Sequence, residues 1–150
     1  MLKERMIQFT YVPEVPEDIR GFAYANVETR EVISNEDWPG KKGPKKIPTV
    51  LQYDENFDHV ISWGFDALAN EPTRRRKKDK FVPSRPIELF KLHLGDIPKE
   101  QKPILPSKIT PEMAITDYLR EMGFIKEEVE RRWPGIDFFK MVRLVATVPA

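Results

Sequence analysis

Fourteen prolines in a chain of 150 residues constrain this protein more than any other feature of its sequence. Proline removes a backbone donor and breaks the interior of a helix, so this density favours short elements and argues against a helical bundle. Hydrophobic residues make up 40% and charged residues 33% of the chain, as in ordinary globular proteins. The length suits one domain, or a large part of one.

Charge and cysteine content exclude several classes of protein. The formal net charge is +1 and there is no cysteine. The chain therefore has no general attraction to nucleic acid or membrane surfaces, and it has no disulfide, thiolate metal site or thiol nucleophile. No signal-peptide pattern occurs, nor a run of roughly 18 apolar residues. We expect a cytoplasmic protein with no membrane partner.

The pattern of apolar residues predicts a strand-rich first half, one long helix and a closing strand. A hairpin is expected where Phe22–Val27 and Glu31–Ile33 flank a polar turn. Further elements are expected at 6–12, 49–53 and 59–63 as strands, at 65–70 as a short helix, and at 142–148 as a strand. This order indicates an α/β or α+β fold in which a mixed sheet is covered by the helix.

The long helix is predicted from about Pro111 to Arg132. Thr110 is a suitable cap, proline fits the first helical position, and Trp133-Pro-Gly135 ends the helix. The helical spacing predicts one apolar face, formed by Ile115, Leu119, Met122 and Val129. Supporting ion pairs are expected between Glu127 and Arg131 and between Glu128 and Arg132.

Common catalytic and metal-binding motifs are absent. The glycines are scattered singly, without a phosphate-loop or dinucleotide-binding pattern. The two histidines, His59 and His93, lack metal-ligand spacing, so structural roles are favoured and no metal site is predicted. Serines 34, 62, 84 and 107 lack a nucleophile-elbow context.

Two basic segments and three tryptophans have alternative interpretations. The tract Arg74–Lys80 could contact phosphates, and a looser loop contains Lys41, Lys42, Lys45 and Lys46. Solvated loops are favoured because no aromatic residue is interleaved for base stacking. Trp38, Trp63 and Trp133 could be binding platforms, but partial core positions with the indole N–H at the surface are favoured.

An ordered set of short motifs is more specific than any of these features. It consists of Gly21-Phe-Ala-Tyr-Ala25, Trp38-Pro-Gly40 followed by Ile47-Pro-Thr-Val-Leu-Gln-Tyr53, Glu88-Leu-Phe-Lys-Leu-His-Leu94, Ala114-Ile-Thr-Asp-Tyr-Leu119 and Ala146-Thr-Val-Pro-Ala150. Residues 21–150 thereby resemble the start of the nucleotide-binding domain of the seventy-kilodalton heat-shock chaperone family, in its divergent branch. Residues 1–20 form a divergent N-terminal segment.

The resemblance implies the actin-like, ribonuclease-H-like ATPase fold, with ATP and magnesium as cofactors. This chain would supply part of the first lobe. By resemblance, Lys91 matches the family lysine that reaches the γ-phosphate, and Pro149 matches the proline that couples nucleotide state to the peptide-binding domain. A surface lysine is an equally good interpretation of Lys91.

The departures from the family pattern concern the phosphate-binding turn. Where the family has Asp-x-Gly-Thr-Thr-x-Ser, this chain has Val15-Pro-Glu-Asp-Ile-Arg20, with no glycine and with acids facing the place of the phosphates. Asp18 could be taken as a magnesium ligand, but a solvent-facing turn acid is favoured. The second phosphate loop and the second lobe would follow beyond residue 150.

We therefore expect a truncated or degenerate chaperone-type ATPase-domain fragment without ATP hydrolysis of its own. One alternative is a chaperone-like protein that retains weak ATP binding. Another is a module that docks on chaperones or on a full-length relative. Nucleic-acid binding through Arg74–Lys80 is a further, less favoured hypothesis.

Overall fold

The computed structural model describes residues 5–10, 19–26, 30–69 and 84–146, with side chains except those of residues 5–10, 19–20 and 145–146. These residues belong to two compact units. The first lies within Met1–Ile47 and Met122–Ala150, and the second within Pro48–Glu121. The second unit is therefore inserted into the sequence of the first, and the protein has a mixed α/β fold.

The described residues contain ten strands, several of them very short: β1 Arg5–Thr10, β2 Ile19–Ala25, β3 Val32–Ser34, β4 Asp37–Trp38, β5 Lys41–Lys42, β6 Ile47–Pro48, β7 Val50–Tyr53, β8 Val60–Trp63, β9 Ile87–Glu88 and β10 Val142–Ala146. The helices are α1 Gly64–Ala69, α2 Pro111–Glu121, α3 Ile125–Arg132 and α4 Phe138–Met141, and 3₁₀ turns cover Phe90–Leu94, Lys99–Gln101 and Met122–Phe124.

The first unit is built on a sheet in which β1 is a central strand. The strand order is β10-β1-β2-β3, and β6 also pairs with β2. β1 to β3 form an antiparallel meander, whereas β10 runs parallel to β1 with Arg5 opposite Val142. Residues 5–10 are thus an integral part of the sheet, and the predicted hairpin of β2 and β3 is confirmed.

Aromatic side chains form much of the core of this unit. Phe22 of β2 lies edge-on to Trp38, with ring centroids 5.5 Å apart, and also contacts Phe124 at 5.9 Å. Tyr24, two residues further along the same face of β2, contacts Trp133 at 5.4 Å. Edge-to-face aromatic pairs contribute about 0.5–1.5 kcal/mol each beyond the area that they bury. These contacts hold the segment that contains α3 against β2.

The second unit surrounds β7, which is buried along its whole length. β8 and β9 pair with it antiparallel on either side, and the predicted strands at 49–53 and 59–63 are confirmed. Tyr118 of α2 packs against Trp63 at 5.7 Å and Phe90 at 6.0 Å. The short helix predicted at 65–70 is confirmed as α1.

The predicted long helix is present, but its buried face differs from the prediction. The Thr110 hydroxyl accepts a hydrogen bond from the backbone N–H of Met113, which confirms the cap. The buried positions are Ala114, Tyr118, Met122, Ile125 and Val129. Leu119 is 61% exposed, so its assignment to the buried face was wrong. The helical period was identified, but Ala114 and Tyr118 are the buried residues in place of the aliphatic Ile115 and Leu119.

The ion pairs of α3 also differ from the predicted spacing. Arg131 pairs with Glu128 at i,i+3, and Lys126 pairs with Glu130. The pairs predicted between Glu127 and Arg131 and between Glu128 and Arg132 do not occur among the described ion pairs. Both i,i+3 and i,i+4 neighbours meet on a helix surface, so the sequence alone does not choose between them.

Candidate functional site

Lys91 is a buried lysine of the second unit. It lies in the 3₁₀ turn Phe90–Leu94 and is only 8% exposed, so its interpretation as a surface lysine was wrong. The preceding Leu89 has a left-handed backbone with φ 57°, a conformation that costs a non-glycine residue of order 1 kcal/mol or more. This turn directs the consecutive residues Phe90 and Lys91 into buried positions.

The other residues assigned by resemblance lie mainly outside the described part of the chain. Residues 11–18, which connect β1 to β2 and include Asp18, are not among the described residues, and neither are Arg74–Lys80 and Pro149. Ile19 and Arg20 begin β2. The stretch Val15–Arg20, which the resemblance sets against the phosphate turn, belongs in sequence to the first unit, whereas Lys91 belongs to the second.

Gly21 has a packing role at the end of that connection. A Cβ atom at this position would come within 2.7 Å of the carbonyl oxygen of Lys45. Real Cβ atoms do not approach backbone oxygens so closely, so β2 and the Lys45 segment require glycine here. This glycine is thus explained by the approach of two backbone segments within the first unit.

The tryptophans have the structural roles that the sequence favoured. Trp38 and Trp63 are buried and Trp133 is half-buried. Trp38 differs from the prediction in one respect, because its indole N–H lies inside the unit and donates to the carbonyl of Pro44 at 2.8 Å. That hydrogen bond joins β4 to the middle of the lysine-containing loop.

The structure shows the contacts of the histidines and of the lysine-containing loop. The Nε2 atom of His93 lies 2.9 Å from the carbonyl oxygen of Pro103, which supports the predicted structural role, and His59 is exposed. No group of three or more potential metal ligands occurs within the described residues. Lys42 and Lys45 are solvated and form exposed ion pairs with Asp37 and Glu36.

A cleft in the first unit, which the sequence did not indicate, lies between β4 and α3. Its volume is about 330 Å³ and it opens to solvent. Its apolar lining comes from Trp38, Pro39 and Phe124. Four charged residues complete the lining: Asp37, Glu127, Glu128 and Arg131. We call this the Trp38 cleft. The exposed charges resemble an ordinary solvated helix face in sequence, which is why the cleft could not be predicted.

One wall of the Trp38 cleft carries a guanidinium–carboxylate pair. The Arg131 guanidinium donates to both carboxylate oxygens of Glu128, and this hydrogen bonding raises the pKa of Arg131. The Glu128 side chain is largely buried, at 15% exposed. Burial raises the pKa of the neighbouring Tyr24 phenol, an effect that Arg132 opposes and Glu128 reinforces. Glu128 and Arg131 therefore largely neutralise each other.

Comparison with known proteins does not assign a family. No family model, no curated protein and no solved structure matches this chain. Within the described ranges, no helix has both the length and the apolar character that a bilayer span requires.

Proposed function

We propose that this chain forms part of the first lobe of an actin-like, ribonuclease-H-like nucleotide-binding domain of the chaperone type, in a degenerate form that does not hydrolyse ATP. The observation that carries the proposal is the strand order β10-β1-β2-β3, with β10 parallel to β1. The resemblance implies a lobe built on a mixed sheet, and this sheet combines an antiparallel meander with one parallel pair.

The inserted second unit also supports this proposal. After β6, which pairs with β2, the chain forms the second unit over residues 48–121 and then returns through α3 to β10. The motifs that carry the resemblance are distributed over both units in their family order. Gly21-Phe-Ala-Tyr-Ala25 lies in β2, and the lysine motif follows β9 in the second unit.

The residues of the β1–β2 connection do not fit a nucleotide triphosphate with magnesium. A phosphate cradle needs converging backbone N–H donors and a glycine that lets the backbone approach the anion. The connection Tyr11-Val-Pro-Glu-Val-Pro-Glu-Asp18 has no glycine, two prolines that lack donors, and three carboxylates that repel phosphate. Gly21, the first glycine after it, is explained by the close approach of the Lys45 carbonyl.

A lysine alone cannot replace this cradle. The family lysine stabilises charge on phosphoryl oxygens that other groups already hold in position. In this chain Lys91 is buried in the second unit beside the strained Leu89. We propose that Lys91 stabilises the second unit and does not support turnover.

Thermal unfolding with and without nucleotide, combined with a turnover assay, tests the proposal. A ligand at about 100 times its Kd stabilises a protein by about 2.7 kcal/mol, which raises Tm by several degrees. We expect no magnesium-dependent rise in Tm with ATP, and no phosphate release above that of a Lys91→Met control. A magnesium-dependent rise in Tm together with turnover that Lys91→Met abolishes would contradict the proposal.

Docking on another protein, such as a chaperone, is a second candidate function. It is favoured by apolar side chains near β10, because Phe139 and Leu144 are 82% and 54% exposed. Aromatic residues such as phenylalanine are enriched in the cores of protein interfaces. Pull-down with purified chaperones tests this candidate. Enrichment that Phe139→Ser reduces is expected, and enrichment no greater than that of a charge-matched control protein excludes it.

A further inference from the structure

The Trp38 cleft has an apolar floor, and its lining contains more acidic than basic side chains. Trp38 is buried by its contacts with Phe22 and Phe124, so it forms a rigid floor, while Pro39 and Phe124 present apolar surface at the sides. Ligand pockets usually measure about 300–1,000 Å³, so a cleft of about 330 Å³ is small. It suits one side chain of a partner better than a nucleotide-sized molecule.

The charges that line the cleft are mainly negative. Three carboxylates, those of Asp37, Glu127 and Glu128, face one guanidinium, that of Arg131, and Glu128 already holds Arg131. Asp37 forms an exposed pair with Lys42 at 3.4 Å and also interacts electrostatically with Arg131, and exposed pairs of this kind contribute little. Among the described residues, no cation pairs with Glu127. The cleft therefore keeps an uncompensated acidic edge beside apolar surface.

The ion pair between Arg131 and Glu128 indicates which kind of cation this surface accommodates. Arg131 binds Glu128 through both carboxylate oxygens, so the lining of the cleft already contains a guanidinium bound to a carboxylate. A guanidinium is planar and weakly hydrated, and it stacks on aromatic and apolar faces while its edge donates to a carboxylate. An ammonium group is strongly hydrated and gains less from an apolar floor.

We infer that the Trp38 cleft binds a single arginine side chain of a partner protein. The guanidinium edge donates to the Glu127 carboxylate, and its faces contact Pro39 and Phe124. Asp37 strengthens the attraction at longer range. The inference does not depend on the proposed nucleotide-binding ancestry, since it uses only the charges and the apolar surface of the first unit.

Nuclear magnetic resonance titration of the ¹⁵N-labelled full chain tests the inference. The probe is acetyl-Gly-Arg-Gly-amide, compared with the same peptide carrying citrulline, an uncharged analogue of arginine. The Trp38 indole resonance, identified by its loss in Trp38→Phe, reports occupancy of the cleft. We expect saturable shifts with a Kd of order 1 mM, weakened at least about threefold by citrulline and by about 500 mM salt.

Two variants on helix α3 distinguish binding in the cleft from a general effect of negative charge. Glu127→Gln removes the proposed partner and should weaken binding at least about threefold, as expected for an exposed ion pair. Glu130→Gln removes the same charge but lies outside the lining, where Glu130 pairs with Lys126 at 2.8 Å. It should bind the peptide as the unmodified chain does. Equal weakening by both variants, equal affinity for citrulline, or absence of indole shifts would overturn the inference.

Discussion

The Tyr53 hydroxyl donates a 2.8 Å hydrogen bond to the carboxylate of Asp117, which joins the central strand β7 to helix α2 in the second unit. Tyr53 is almost fully buried, and Asp117 also accepts a hydrogen bond from Arg120. A buried phenol that donates to an ionised carboxylate is among the stronger hydrogen bonds in proteins. We therefore regard this contact as a main support of the second unit.

Removing this hydrogen bond should destabilise the protein by a measurable amount. Tyr53→Phe keeps the ring but removes the donor, and we expect the free energy of unfolding to fall by about 1.5–3 kcal/mol. Urea unfolding measures the change. A double-mutant cycle with Asp117→Ala, which removes the acceptor, isolates the pair. If the two substitutions prove additive, the hydroxyl and the carboxylate do not interact as described.

The ionisation of Tyr53 leads us to predict a loss of stability at alkaline pH. Burial, followed by the hydrogen bond to Asp117, raises the pKa of Tyr53. Below about pH 10 the Tyr53 phenol is protonated in both the folded and the unfolded chain. Above about pH 10 the phenol ionises in the unfolded chain but stays protonated in the folded one. The free energy of unfolding therefore falls by up to about 1.4 kcal/mol per pH unit. Between about pH 8 and about pH 11, the stability advantage of the unmodified chain over Tyr53→Phe should shrink. An advantage that stays constant would show that the native pKa is not raised.

Two glycine substitutions should have opposite signs. Gly21→Ala brings a Cβ within 2.7 Å of the Lys45 carbonyl oxygen and should cost about 1–3 kcal/mol, as overpacking does. At Gly123 a Cβ meets nothing within 4 Å, so Gly123→Ala should stabilise by about 0.5–1 kcal/mol. Denaturant unfolding of both variants checks this. A neutral Gly21→Ala would contradict the close approach of the two backbone segments.

A pair of valines tests the buried face of α3. Val129 is fully buried and Val32 is 70% exposed, and both belong to the first unit. Val129→Ala should cost about 2 kcal/mol through lost burial and a residual cavity, whereas Val32→Ala should change stability by less than about 0.5 kcal/mol. Comparable losses in the two variants would place the helix in a different orientation.

The sequence predicts the elements of this protein better than it predicts their contacts. Alternating apolar residues and polar turns located most of the strands, and the Thr110 cap and helical period located the long helix. The predicted face was wrong because Ala114 and Tyr118 are buried, while Leu119 lies in solvent. The residues that bury a helix are selected by the partner surface, which periodicity alone does not specify.

The Trp38 cleft could not be predicted for a related reason. Its residues come from the segments 37–39 and 124–131, which are far apart in sequence. The buried position of Lys91 depends on the left-handed backbone of Leu89, and leucine gives no sequence signal for that conformation. The proposed phosphate-binding defect, in contrast, depends only on the types of residues in the β1–β2 connection.

Calorimetric titration of the chain with ATP and magnesium tests the central claim most directly. We predict no heat beyond that of dilution up to about 1 mM ATP. Without converging backbone donors, the expected Kd is above about 1 mM, which corresponds to a binding free energy less favourable than about −4 kcal/mol. Saturable, magnesium-dependent binding at micromolar concentration, abolished by Lys91→Ala in a variant that remains folded, would contradict the account.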